Sequence, residues 1–290
     1  MSRAPRHKAL TLALAVFCLV LTPQARAEAS RLTWNPAWSR FRPVEYGVTV
    51  GAAAGTFALY FAVPDANEPR WVGGVLLDDT LRRALRLRSP DARDRARTAS
   101  DITALSTLVW AVGVDSVAVP LLRHGSDVAG QLGAMDAEAF ALSSLVTTLI
   151  FKAVARARPS YADCLRDPSF DPLCKTRTNE SFPSGHTDVS FTAAGLSCAH
   201  HLHAAPYGSP LADALACAGT ITLAASTGTL RVLGDRHYAS DVWLGAVLGF
   251  AVGYGVPTLF HYGKVNSDSQ SAQALEPLGA GLGPTVSGTF

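Results

Sequence analysis

Three residues near the C-terminal third of the chain, Arg231, His237 and Asp241, have the types and spacing of a phosphate-handling centre. His237 and Asp241 are four apart, so on a helix they share a face and the carboxylate can hold the imidazole in one tautomer. Such a histidine is a candidate nucleophile. Arg231 supplies a planar fork of donors suited to phosphate oxygens. Some fifty residues upstream stands Ser181-Phe182-Pro183-Ser184-Gly185-His186-Thr187. Pro183 is poorly placed inside a helix but well placed to begin one, which puts Ser184, Gly185 and His186 on an opening turn. Free N–H groups and the positive end of the helix dipole make that turn a site for an oxyanion, and Gly185 lets the anion approach the backbone. Taken singly, each piece also has a plain structural reading as a turn or a helix-surface pair.

Together the pieces resemble the second and third signature motifs of the type 2 phosphatidic acid phosphatase and vanadium haloperoxidase superfamily. That family carries a first motif upstream, a Lys followed seven positions later by Arg-Pro. Here Lys152 precedes Arg158-Pro159 by six. Six helical positions leave two side chains about 120° apart, so the helix is expected to unwind near Pro159. Arg156 is the alternative ligand. A second departure is Leu230, where the family usually has a small hydroxyl residue. The resemblance implies phosphate-ester hydrolysis through a phosphohistidine, with His237 as nucleophile, Asp241 orienting it and His186 as general acid and base. Lys152, Arg158, Ser184, Gly185 and Arg231 would bind the phosphate oxygens. It implies no metal and no cofactor, and the remaining histidines, His124, His200, His201, His203 and His261, lack Cys or carboxylate partners at ligand spacing.

The elements that must position these residues read as an all-α bundle of about six helices. The apolar candidates are Tyr46 to Val63, Ile102 to Leu122, Ala134 to Ala155, Thr187 to Ala205, Ala214 to Leu230 and Val242 to Phe260. The first and last carry no charge and are long enough to cross a membrane, so the bundle is expected to span one, with a soluble bundle as the alternative. Residues 1–27 read as an export signal: basic residues, an apolar run from Ala9 to Leu21, and Ala25-Arg26-Ala27 as a cleavage site. It holds four of the 25 basic residues and no acidic one, leaving 21 against 23. That balance gives no reason to expect nucleic acid as a partner. Residues 28–43 lead into a phosphatase domain over 44–262, and 263–290 form a Ser-, Gly- and Gln-rich tail.

The Arg-rich stretch Arg70 to Arg97 reads either as an amphipathic helix lying on a membrane or over the site, or as a solvated helix tied by ion pairs with Asp78, Asp79, Asp91 and Asp94. Cys164 and Cys174 sit ten apart between motifs, where a disulfide would close a small ring; Cys198 and Cys217 read as core residues. The arginines favour a cytoplasmic site and the cysteines an oxidising one. Following the cysteines and the bacterial members of the family, the expectation is an inner-membrane protein with a periplasm-facing site. The expected substrate is a lipid phosphate or polyprenyl diphosphate. A soluble periplasmic acid phosphatase and a vanadate-dependent haloperoxidase remain the competing readings.

Overall fold

A computed structural model of the chain describes residues 31–175 and 179–263. The expected export signal, with Cys18, and the tail beyond Gly263 lie outside the described residues. The described chain is helical and contains no strand; one isolated bridge joins Trp71 to Arg156. The helices are α1 (Pro43–Phe61), α2 (Asp78–Leu85), α3 (Pro90–Leu108), α4 (Ser126–Val154), α5 (Tyr161–Arg166), α6 (Gly185–His203), α7 (Pro210–Leu233) and α8 (Ala239–Pro257). α3 runs on through a π-helical stretch, Val109–Ala118, and a last turn, Val119–Leu122. α8 ends in a π turn, Thr258–Tyr262. Each of the six apolar segments overlaps one of the long helices α1, α3, α4, α6, α7 and α8. Proline opens α1, α3 and α7, where its missing N–H costs no helical bond.

Among the described residues, four helices are long and apolar enough to cross a membrane: α3 with its extension, α4, α7 and α8 with its terminal turn. α1, expected to be among them, is not. Residues 46–63 carry no charge, but the helix stops at Phe61, short of Ala62 and Val63, and takes in the charged Glu45 at its start, so it falls just short as a span while exposing Val48, Val50, Phe57 and Phe61. α6 is the inverse case, a modestly apolar helix buried along most of its length by the others. Its closest neighbour is α8, which presents Gly245, Gly249 and Gly253 at intervals of four. A Cβ at Gly249 would collide with the carbonyl of Asp188, and one at Gly253 with that of Thr192. The two backbones therefore lie against each other, as small residues at this spacing allow, and the starts of α6 and α8 meet.

The Arg-rich stretch forms neither expected helix. It breaks into a loop, α2 and the first turns of α3, and four of its arginines, Arg82, Arg86, Arg93 and Arg97, pair with carboxylates from distant segments, while Arg70, Arg83, Arg88 and Arg95 are exposed. Arg82 bonds Asp235 and Asp163, each at 2.7 Å. Arg93 and Arg97, both buried, clamp the buried Asp171 at 2.8 and 2.7 Å. Arg97 also donates to the Gly234 carbonyl at 2.8 Å. These bonds fasten the loop between α5 and α6 to the segment between α7 and α8. Cys164 in α5 is joined to Cys174 in that loop.

Two expectations about the far end of the bundle are corrected. Cys198 and Cys217 are not simple core residues: they form a disulfide linking α6 to α7, with Cα atoms 4.5 Å apart. The histidines there do have carboxylate partners, supplied by other helices. His200 lies 2.9 Å from Asp136 and 2.8 Å from the Tyr262 hydroxyl. His201 lies between Asp213 at 2.6 Å and Asp115 at 3.2 Å. Local spacing missed them because the partners are up to about ninety residues away in sequence.

Candidate active site

The ends of α4 and α7 and the starts of α6 and α8 converge at the opposite end of the bundle. α4 stops at Val154, and Ala155 takes the left-handed conformation (φ 44°) that ends many helices. The unwinding expected near Pro159 thus occurs four residues earlier, and Arg156 and Arg158 lie on an extended segment instead of a helix. That segment is pinned by Ala157 N–H donating to the Trp71 carbonyl at 2.8 Å and by Ser181 N–H donating to the Arg156 carbonyl at 3.0 Å. The helical spacing between Lys152 and Arg158 therefore does not apply.

His237 is buried in the loop before α8. Its Nδ1 lies 2.7 Å from the Ser181 carbonyl. A carbonyl only accepts, so Nδ1 carries the proton. On the other side, Arg158 Nη1 stands 3.3 Å from Nε2. A guanidinium only donates, so Nε2 presents its lone pair. Burial, then the Arg158 and Arg231 charges, push the imidazole pKa well below its ordinary value, and the ring is neutral.

Asp241 does not take the direct orienting bond expected of it; its carboxylate is 3.9 Å from Nδ1. It accepts from Ser181 Oγ at 2.6 Å and from Arg156 Nη1 at 2.5 Å. Asp241 therefore acts on His237 at one remove, through the residue whose carbonyl holds the ring. Arg156, the alternative phosphate ligand, is fully buried, and all three guanidinium nitrogens are committed to Asp78, Asp241, Ser240 and the Gly73 carbonyl. Its guanidinium also lies 3.9 Å from the centre of the Trp71 ring. Arg158 is the arginine beside His237.

Ser184 caps α6, with its N–H donating to the Asp241 carbonyl at 2.9 Å and its hydroxyl accepting from Thr187 at 2.8 Å. Gly185 opens the helix with the Phe151 ring packed over it; a Cβ there would lie 3.3 Å from that ring. His186 follows, half exposed, its Nε2 3.3 Å from Asp101. The same carboxylate accepts from the buried Arg231. Asp101 joins two site residues and was not identified from sequence. It stands directly before the apolar run of α3, with no motif around it. Lys152 is the member not brought to the histidines: its ammonium bonds Asp65 at 2.6 Å and the Val63 carbonyl at 2.7 Å.

The centre is crowded with positive charge. Burial and the neighbouring arginines lower the pKa of Arg158 to about 9 and of Arg236 to about 10. The Nε–H groups of Arg158 and Arg231 are buried without a hydrogen-bond partner among the described residues. Unmatched donors and mutually repelling cations around one histidine favour a multiply charged oxyanion.

Burial, followed by the Arg231 charge, lowers the His186 pKa to about 4, so the ring is neutral near pH 7 in the anion-free protein. A bound dianion raises that pKa, so binding takes up a proton and must strengthen as pH falls from 7 toward 5. Sulfate, which keeps its double charge over this range, should bind about tenfold more tightly at pH 5 than at pH 7 by calorimetry, the increase that a shift of about two pKa units on binding gives. His186→Asn should flatten the trend; an affinity that rises with pH would contradict the assignment.

Residues 137–264 match the family described as the PAP2 superfamily. Over 73 residues the chain is 44% identical to a lipid A 1-phosphatase of Porphyromonas gingivalis, an alignment covering 25% of this chain and 15% of that protein. No solved structure matches.

Proposed function

We propose that this chain, whose residues 137–264 match the PAP2 superfamily, hydrolyses a phosphomonoester or diphosphate of a membrane lipid through a phosphohistidine on His237. The observation that carries this is the fixed tautomer of His237. Its Nε2 lone pair faces Arg158, while His186 and Arg231 share Asp101 nearby.

In the first step Nε2 attacks phosphorus, an Nε2–P bond forms and the P–O bond to the leaving group breaks. His186, protonated as the dianion arrives, gives its proton to the departing oxygen. Asp101 accepts from His186 Nε2 and stabilises the protonated ring. Arg158, Arg231 and the first N–H groups of α6 stabilise the equatorial oxygens. The Ser181 carbonyl stabilises the imidazolium created at Nδ1. In the second step water attacks phosphorus, its proton passes to His186, and the Nε2–P bond breaks. Lys152 joins the oxyanion only by leaving Asp65, a movement that substrate charge would drive.

The lipid class is supported by three membrane-length helices, α4, α7 and α8, that end or begin at the site and by the named activity of the relative. A bacterial envelope location is supported by two disulfides, Cys164–Cys174 at the site end and Cys198–Cys217 toward the far end, because such bonds persist in oxidising compartments. Lying at both ends, they support the compartment and not the direction the site faces; a periplasm-facing site in the inner membrane is the orientation proposed. The test is a panel in detergent: phosphatidic acid, phosphatidylglycerol phosphate, lipid A and undecaprenyl diphosphate, against a soluble aromatic phosphate. At least one lipid should exceed the soluble ester in kcat/KM by about 100-fold, the effect of burying a few chain carbons at about 0.8 kcal/mol each. Equal or faster turnover of the soluble ester would replace this reading with that of a broad-specificity acid phosphatase.

A further inference from the structure

Between α1 and α2 the chain exposes an apolar loop on the same end of the bundle as the histidines. Leu76 is 100% exposed, Leu77 66% and Val72 57%. Leu76 adopts φ 53°, a conformation that branched residues rarely take. The loop is held in this shape from below. Val75 N–H donates to Asp78 Oδ2 at 2.9 Å, and Asp78 N–H donates back to the Val75 carbonyl at 2.9 Å. The Gly73 carbonyl accepts from Arg156 at 2.8 Å, and Asp78 accepts from Ser240 N–H at 2.9 Å. A buried polar frame shared with the site thus presents aliphatic side chains outward.

The height of the loop identifies what meets it. It is tied to Arg156, just past the end of α4, and to Ser240, in the first turn of α8. Trp243, one turn further along α8, is 70% exposed, and Tyr60 and Phe61 are exposed at the end of α1. Aromatic side chains at the ends of membrane helices mark the layer where headgroups give way to acyl chains. The loop continues that belt around the mouth of the site. Water would leave three aliphatic side chains unsheltered, whereas the interfacial layer buries them.

We propose that Val72–Leu77 is a membrane-inserting finger that seats the site mouth in the bilayer interface, its partner being the upper acyl region of bilayer lipids. It deepens the lipid-phosphate reading by setting where the substrate's chains lie, but its test needs no turnover. Leu76→Cys, on a Cys18→Ser background in which the remaining four cysteines are paired, is labelled with bimane and reconstituted in phosphatidylcholine–phosphatidylglycerol vesicles. Leu77→Cys serves as a second reporter, and Ser169→Cys, exposed in the loop after α5, as a water-side control. Lipids brominated high on the acyl chain should quench both leucine positions at least threefold more than the control, and aqueous iodide should show the reverse order. Quenching of the leucine positions by iodide alone would overturn the proposal. Protection from both quenchers would also overturn it, by showing that protein, such as a second copy of this chain, covers the loop.

Discussion

His237→Gln should lower turnover of a lipid phosphate by at least about 1000-fold while leaving the thermal transition within a few degrees of the parent protein. The side chain makes two polar contacts, to the Ser181 carbonyl and to Arg158. Glutamine can donate to the first and accept from the second, so the local frame survives. What disappears is the nitrogen lone pair that attacks phosphorus, and no other group replaces it. His186 is held by Asp101, away from that position. Steady-state assay of the folded variant, with a melt to establish folding, gives the result. Retention of more than a few per cent of activity would remove His237 from the nucleophile's role.

The second large effect separates two arginines that sequence alone leaves as alternatives. Arg158→Ala should cost about 100-fold or more in kcat/KM with little change in stability, because it removes a donor facing the transferring group. Arg156→Ala should do the opposite in kind. It would strand the carboxylates of Asp78 and Asp241, both buried, and remove the stacking on Trp71. Breaking a buried pair from one side costs about 3–5 kcal/mol. Activity would fall with the folded fraction. Denaturant titration of each variant beside its kcat/KM makes the comparison. A stable but inactive Arg156→Ala would reverse the two roles.

Much of this site was legible because its chemistry is written in short spacings. Arg231, His237 and Asp241 fall within one helix end and one helix start, and Ser184 to His186 within a single turn. The six apolar segments marked the long helices for a similar reason: apolar runs of this length leave few alternatives to a helix. What escaped depends on partners remote in sequence. Asp101 meets His186 and Arg231 from α3, and Asp171 meets Arg93 and Arg97 across more than seventy residues. No local period signals such pairs. The direct bond assigned to Asp241 goes instead to a backbone carbonyl, an acceptor every residue carries and no motif can mark. Lys152 came from the resemblance to the first motif, and nothing in that motif marks Asp65, which holds its ammonium. Cys198 and Cys217 have the apolar neighbours of either a core thiol or a disulfide, and only the approach of α6 to α7 decides between them.

The inward turn of the arginines also changes how charge in this chain is read. Eight arginines between Val63 and Ser100 suggest a surface held by anionic lipid or by local ion pairs. In the fold, Arg82, Arg93 and Arg97 instead bind α5 and the loop after it to the segment just before His237. Their contribution to a topology count is correspondingly less than their number implies, since they are structural ties of the site.

The central claim is that phosphorus is transferred to one nitrogen of one ring. It is tested most directly by mixing the protein with phosphorus-32-labelled lipid phosphate, quenching in alkali on the millisecond scale, and locating the label by peptide mass spectrometry and phosphorus NMR. Label on Nε2 of His237, stable to base and lost in acid, is the expected result, because Nδ1 is already committed to the Ser181 carbonyl. Label on Nδ1, on His186 or on a hydroxyl residue would contradict the account.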